Sequence, residues 1–212
     1  MHDIKNKINK AINDNKDEII AFVQELVRTP SLANQESGVQ QIIHNKLNSI
    51  GLSSKIIPVI FSELEHHPAF NDDGFSPDSR INVTAVWKGK NNAKSLILNG
   101  HVDVVPIGPE KLWDDDPFSG NIIDGKIYGR GSCDMKAGLS SGLFAISILK
   151  YLGFAPDGDI IFQSVVGEES GGCGTLTNIV KGYNADAAII LEPTSLKLSP
   201  IQSGALTFRL KV

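Results

Sequence analysis

Cysteine is scarce in this chain, with only Cys133 and Cys173 among 212 residues. That excludes a disulfide framework and points to a reducing, cytoplasmic setting. Long apolar runs are also missing. Stretches such as Ser95-Leu96-Ile97-Leu98 fall far short of a bilayer span. The opening Met1-His2-Asp3-Ile4-Lys5 lacks the apolar core of a secretory signal. Charge of one sign is lacking too: 20 basic residues face 24 acidic ones, for a net charge of −4. Lys5, Lys7, Lys10 and Lys16 are interleaved with acids and amides, which makes a solvated helix face and no nucleic-acid footprint. No internal repeat or low-complexity segment stands out. What remains is the balance of an ordinary globular protein, 41% hydrophobic and 21% charged.

Periodicity sets the elements. Ile4, Ile8, Ile12, Ile19, Phe22, Val23, Leu26 and Val27 recur at helical spacing, which predicts one long helix over 3–28, stopped ahead of Pro30. A second helix is expected over 35–49, with Gly51 as its stop. Strands are expected over 54–60, 82–87 and 95–99, with a proline- and acid-rich loop over 65–80. Asp124-Gly125 between Ile122-Ile123 and Lys126-Ile127 is the signature of a tight hairpin. Then come a helix over 136–152, a strand over 159–166, a short helix over 174–181 and a buried strand over 187–191. A last strand-like alternation covers 205–212. Strands alternating with helices argue an α/β layer architecture.

Ligand-type side chains fall at the ends of these strands and turns. His101 follows an apolar strand, with Asp103 two residues on, placed to accept the second ring N–H. Asp134 lies in the glycine-rich turn Gly129–Gly138, ahead of a helix whose N-terminal dipole favours a carboxylate. Glu168 and Glu169 follow the strand ending at Val166, and Glu192 follows the one ending at Leu191. Neighbouring glutamates leaving a strand diverge, so one can hold a metal while the other works as a general base. Each group also has a plain reading, as a strand-end histidine, a helix-capping aspartate or a solvated acidic turn. The glycines of 129–138 fit neither a dinucleotide fingerprint, which needs glycine at Asp134, nor a P-loop, which needs Gly-Lys-Ser/Thr. The other histidines, His2, His44, His66 and His67, are poor ligand substitutes by position.

The order His-x-Asp, glycine-rich Asp, Glu-Glu and Glu-Pro resembles the dinuclear zinc amidohydrolases that include acetylornithine deacetylase, succinyl-diaminopimelate desuccinylase, aminoacylase and carboxypeptidase G. Gly129–Gly138 and Val165–Gly172 carry the resemblance, and Glu192-Pro193-Thr194 looks most like the acetylornithine deacetylase branch. The resemblance implies a zinc-exopeptidase-like three-layer sandwich around a central mixed sheet. It implies two Zn2+, with Co2+ as a substitute: His101 and Glu192 on one ion, Asp134 bridging, Glu169 on the other, Glu168 as base and Asp103 orienting His101. It further implies a cis peptide at Asp134-Met135, hydrolysis of N-acyl amino acids or small peptides by a zinc-activated water, and homodimers of the full-length protein. Members of the family are nearly twice as long. The expected organisation is therefore the first part of a catalytic domain over 1–203 and the start of a lid and dimerisation domain over 204–212, with the rest of both lacking. The alternative is a catalytically incomplete remnant that binds metal or a partner chain without turnover.

Overall fold

The computed structural model describes residues 2–201. The expected strand over 205–212 and the expected domain boundary at 203 lie outside them. The predicted long helix is two helices, α1 (His2–Asp14) and α2 (Lys16–Arg28), divided at Asn15. The amide of Asn15 donates to the Ala11 carbonyl at 2.7 Å, and its backbone sits at φ −104°, ψ 10°. Asparagine competes in this way with the helix ladder, and the apolar periodicity on either side concealed the break. Thr29 is extended, as the residue before a proline should be.

Helix α3 (Ser37–Ser49) ends ahead of Gly51, which turns the chain at φ +73° into β1 (Ser54–Pro58). A short helix unforeseen from the sequence, α4 (Phe61–Leu64), precedes the acidic loop. Strands β2 (Ile81–Trp87) and β3 (Leu96–His101) follow, then a single 3-10 turn at Glu110–Leu112. The hairpin forms as expected from β4 (Ile122–Ile123) and β5 (Lys126–Ile127), with Asp124 and Gly125 both at positive φ. An irregular helical turn over Ser132–Lys136 leads into α5 (Ala137–Tyr151). The chain continues through β6 (Ile160–Val165), α6 (Cys173–Val180) and β7 (Ala187–Ile190).

The five-stranded sheet has the order β1-β2-β6-β3-β7. Antiparallel pairs join β1 to β2 and β2 to β6, while β3 runs parallel to both β6 and β7, so the sheet is mixed as expected. Alternate side chains go to opposite faces. Asn82 and Thr84 meet Asn178 of α6 on one face, and Ser164 bonds Gln40 of α3 on the other. Helices thus cover both sides. The main core gathers Leu26, Ile43, Leu47, Val83, Leu139, Leu143 and Phe162, all essentially inaccessible. Each such side chain contributes roughly 1.5–3 kcal/mol of burial.

A further expectation fails. The strand over 187–191 was predicted to be buried, yet all four residues of β7 are exposed, with Ile190 at 54%. Among the described residues β7 has a neighbour on one side only, β3, so its apolar character does not translate into burial.

Candidate metal centre

The topology explains why ligand-type residues meet. Because β3, β6 and β7 are parallel, their C-terminal ends share one edge of the sheet, and loops leaving that edge are where open α/β sheets build sites. His101 is the last residue of β3 and pairs with Val165 at the end of β6. Glu168 and Glu169 leave that same end through Gly167, whose φ is +72°. Glu192 leaves β7, its strand held by the Leu191 amide on the Asn99 carbonyl at 2.9 Å. Asp134 comes in from the turn before α5, and the Asp134-Met135 peptide is cis, as the resemblance implied. Met135 is buried beneath, its sulfur accepting the His101 N–H at 3.2 Å.

His101 is 1% exposed and centres the cluster. Its Nδ1 lies 2.9 Å from the backbone carbonyl of Asp103, which can only accept, so Nδ1 carries a proton. In the neutral ring the Nε2 lone pair then faces the carboxylates. It stands 3.2 Å from Asp134 Oδ1, 3.5 Å from Glu192 Oε1 and 3.9 Å from Glu168 Oε2. Two sets of donors, His101-Asp134-Glu169 and His101-Glu168-Glu192, each place their atoms within 4.8 Å of one another. All five predicted metal and base residues therefore converge. His44, His66 and His67 belong to neither set.

Asp103 requires a correction. It was expected to orient His101 through its carboxylate, but that group is 3.6 Å from Nδ1, and the main-chain carbonyl does the orienting. The buried carboxylate instead accepts the backbone N–H groups of Glu168, at 3.2 Å, and Glu169, at 3.0 Å. Asp103 thus fixes the imidazole with its backbone and the Glu-Glu turn with its side chain.

The electrostatics are those of crowded anions. Burial pushes the Glu192 carboxyl up, Asp134 and Glu168 push it further against the pull of His101, and it reaches about 7. Burial and then Asp134 raise Glu169 in the same direction. Burial disfavours the imidazolium of His101, yet the carboxylates of Asp103, Glu192 and Glu168 outweigh it and hold its pKa above the ordinary value. One imidazole nitrogen and several oxygens, with more negative charge than the protein itself compensates, form a donor set suited to borderline and hard divalent cations. The residues fit the group that the resemblance implied.

A cavity of about 630 Å³ opens beside the cluster, within the range of small-molecule sites. His101, Asp134, Glu168 and Glu192 form its polar end, and Leu176, Ile179 and Ile190 its apolar side. Four residues that support the site were not foreseen from the sequence: Glu36, Asp73, Arg80 and Ser170. An arginine closing an otherwise acidic loop was the only signal available for them.

Comparison with known proteins agrees with this geometry. The model of the peptidase family M20/M25/M40 matches residues 97–205, about half of the chain and the part holding every donor. The chain is 36% identical over 201 residues to an N-formyl-4-amino-5-aminomethyl-2-methylpyrimidine deformylase of Halalkalibacterium halodurans, covering 92% of this chain and 43% of that protein. It is 30% identical over 188 residues to a succinyl-diaminopimelate desuccinylase of Variovorax paradoxus, covering 84% and 44%. It thus spans less than half the length of these curated relatives. Human carnosine dipeptidase 1 shares the fold, with a TM-score of 0.72 and 21% identity over 87% of this chain and 40% of that one. These relatives bear names other than acetylornithine deacetylase, so they support the family without that branch. A matched family model, the shared sheet and donors converging at its carboxyl edge give one answer: the chain belongs to peptidase family M20/M25/M40.

Proposed function

We propose that this chain carries the metal-binding part of a hydrolase that cleaves the amide bond of N-acyl compounds, N-formyl and N-succinyl amines included, or of small peptides. The observation that supports the reading is the convergence of His101, Asp134, Glu168, Glu169 and Glu192 at one sheet edge beside an open cavity. His101 and Glu192 would hold one cation, Glu169 a second, and Asp134 would bridge, with zinc the proposed ion and cobalt a working substitute. Bound there, such ions supply Lewis acidity and lower the pKa of water. Glu168, half-exposed at the mouth of the cluster, is the proton carrier. It takes a proton from the attacking water and returns it to the leaving amine. Asp103 keeps Glu168 in place through the backbone, and the cavity admits a small molecule. The names of the relatives point to acyl groups as small as formyl, and the acetylornithine branch stays within the same substrate class. The domain division at 203, and a homodimer of the whole protein, belong to this reading.

A second reading, in which the chain binds metal or a partner without turnover, is favoured by one observation. Among the described residues, His101 is the single imidazole in the cluster.

The test is a panel of N-formyl, N-acetyl and N-succinyl amines and dipeptides, assayed with added Zn2+ or Co2+, beside metal quantitation after dialysis. Glu168→Gln should keep the metal and lose about 100- to 10,000-fold in rate. Metal retention without turnover selects the second reading. A wild type that retains no metal, or an undiminished Glu168→Gln, defeats the first.

A further inference from the structure

The turn Gly167–Gly172, which presents Glu168 and Glu169, is held from two sides. On one side stands the carboxylate of Asp103, already described. On the other lies a buried ionic group drawn from three separate segments. Arg80, immediately before β2, has a wholly inaccessible side chain, and its Nη1 donates to Asp73 Oδ2 at 2.6 Å. The same oxygen accepts the Ser170 hydroxyl at 2.6 Å, and Arg80 Nη2 reaches Ser170 Oγ at 3.4 Å. Behind the guanidinium, Nε faces Glu36 Oε1 at 3.6 Å, and neither Glu36 oxygen has a hydrogen-bond partner. The fit is close: a Cβ on Gly167 would collide with Arg80 Nη2 and stand 2.8 Å from Cys173 Sγ. A Cβ on Gly171 would stand 3.0 Å from Asn71 Nδ2. The acidic loop is thereby tied to the turn, and its Ala69 lines the cavity.

We infer that Arg80, working with Asp73 and Ser170, is a positioning residue that clamps the Gly167–Gly172 turn and so fixes the direction of Glu168 and Glu169. Arginine suits the task because its planar fork can engage Asp73, Ser170 and Glu36 at once, which a lysine ammonium cannot. Burial makes the arrangement strict, since losing one member strands charge in the interior. The clamp touches no reacting atom. It acts through the two glutamates, as outer partners of metal ligands do.

The experiment compares wild type with Arg80→Lys and Ser170→Ala, the second a small change that leaves the Arg80–Asp73 pair intact. Lys181→Ala, which removes a surface pair to Glu63, is the control. Amide hydrogen exchange of the metal-free protein is read at Glu168 and Glu169, whose N–H groups rest on Asp103, and across β6. The expected result is exchange faster by about tenfold or more at 168 and 169, with β6 amides unchanged. Equal exchange in variants and wild type overturns the proposal, as does acceleration that merely follows β6. Co2+ affinity should also fall by about 10- to 100-fold in Arg80→Lys. That arm rests on the proposed metal centre. A wild type that binds no Co2+ refutes the centre, while the exchange result still decides the clamp.

Discussion

Gly138 offers a sharp test of how the site is positioned. It lies in the first turn of α5, four residues after Asp134, and its Cα is pressed against the carbonyl of Leu191, the residue before Glu192. A Cβ there would fall about 1 Å inside the 3.0 Å that Cβ atoms keep from their neighbours, so backbone must move by that much. Helix propensity alone favours alanine at this position by up to about 1 kcal/mol. Overpacking against backbone costs about 1–3 kcal/mol, so the close approach wins. Gly138→Ala should therefore lose up to about 2 kcal/mol, a midpoint lowered by no more than about 8 °C for a domain of this size. On the proposed metal centre the larger effect falls on cation binding. Shifting the Glu192 segment about 1 Å away from His101 and Asp134 should weaken divalent-cation binding by about 10- to 100-fold. The assay is titration with Co2+ followed by visible absorption, with thermal unfolding recorded on the same samples. Gly142→Ala is the comparison, because one turn further on a Cβ meets only the mobile end of Leu191, Cδ1 at 2.6 Å. Its metal binding should change little. Unchanged affinity in Gly138→Ala, or equal weakening in Gly142→Ala, refutes the reasoning.

Further expectations concern buried charge. Burial raises the Glu36 carboxyl to about 7 despite Arg80 beside it, so the folded state holds this proton more tightly than the unfolded chain. Unfolding then releases a proton between about pH 4.5 and 7, and the Glu36 contribution to stability declines as pH rises through that window. Glu36→Gln should flatten the decline in urea midpoints measured from pH 5 to 8; an unaltered slope would show that Glu36 is not its source. Lys136, fully buried, donates to the carbonyls of Leu26 at 2.8 Å and Thr29 at 3.0 Å, at the C-terminal end of α2. Lys136→Met keeps the stem but leaves those carbonyls bare, and denaturant unfolding should register a loss of about 1–3 kcal/mol. A variant as stable as wild type would contradict it.

The convergence of the candidate donors was legible because they sit where apolar runs end, and a parallel sheet converts separate run-ends into a single edge. His101, Glu168, Glu169 and Glu192 followed from that logic, and Asp134 from its glycine-rich turn. What was hidden depends on partners that only the fold supplies. The division of labour within Asp103 requires β3 and β6 to lie side by side, with Val102 bonding Val165. The Arg80 group joins positions 36, 73, 80 and 170, with no local spacing to reveal it. Asn15 breaks a helix whose apolar phase continues on both flanks, and β7 reads as interior although its side chains are exposed.

The donors span positions 101 to 192 and meet only after β3, β6 and β7 have aligned. An unfolded chain therefore offers a cation no comparable grip, and each tenfold rise in free ion above its dissociation constant adds about 1.4 kcal/mol to the folded state. With the proposed centre in place, supply of the ion would become a determinant of how long the polypeptide endures, apart from any substrate it meets.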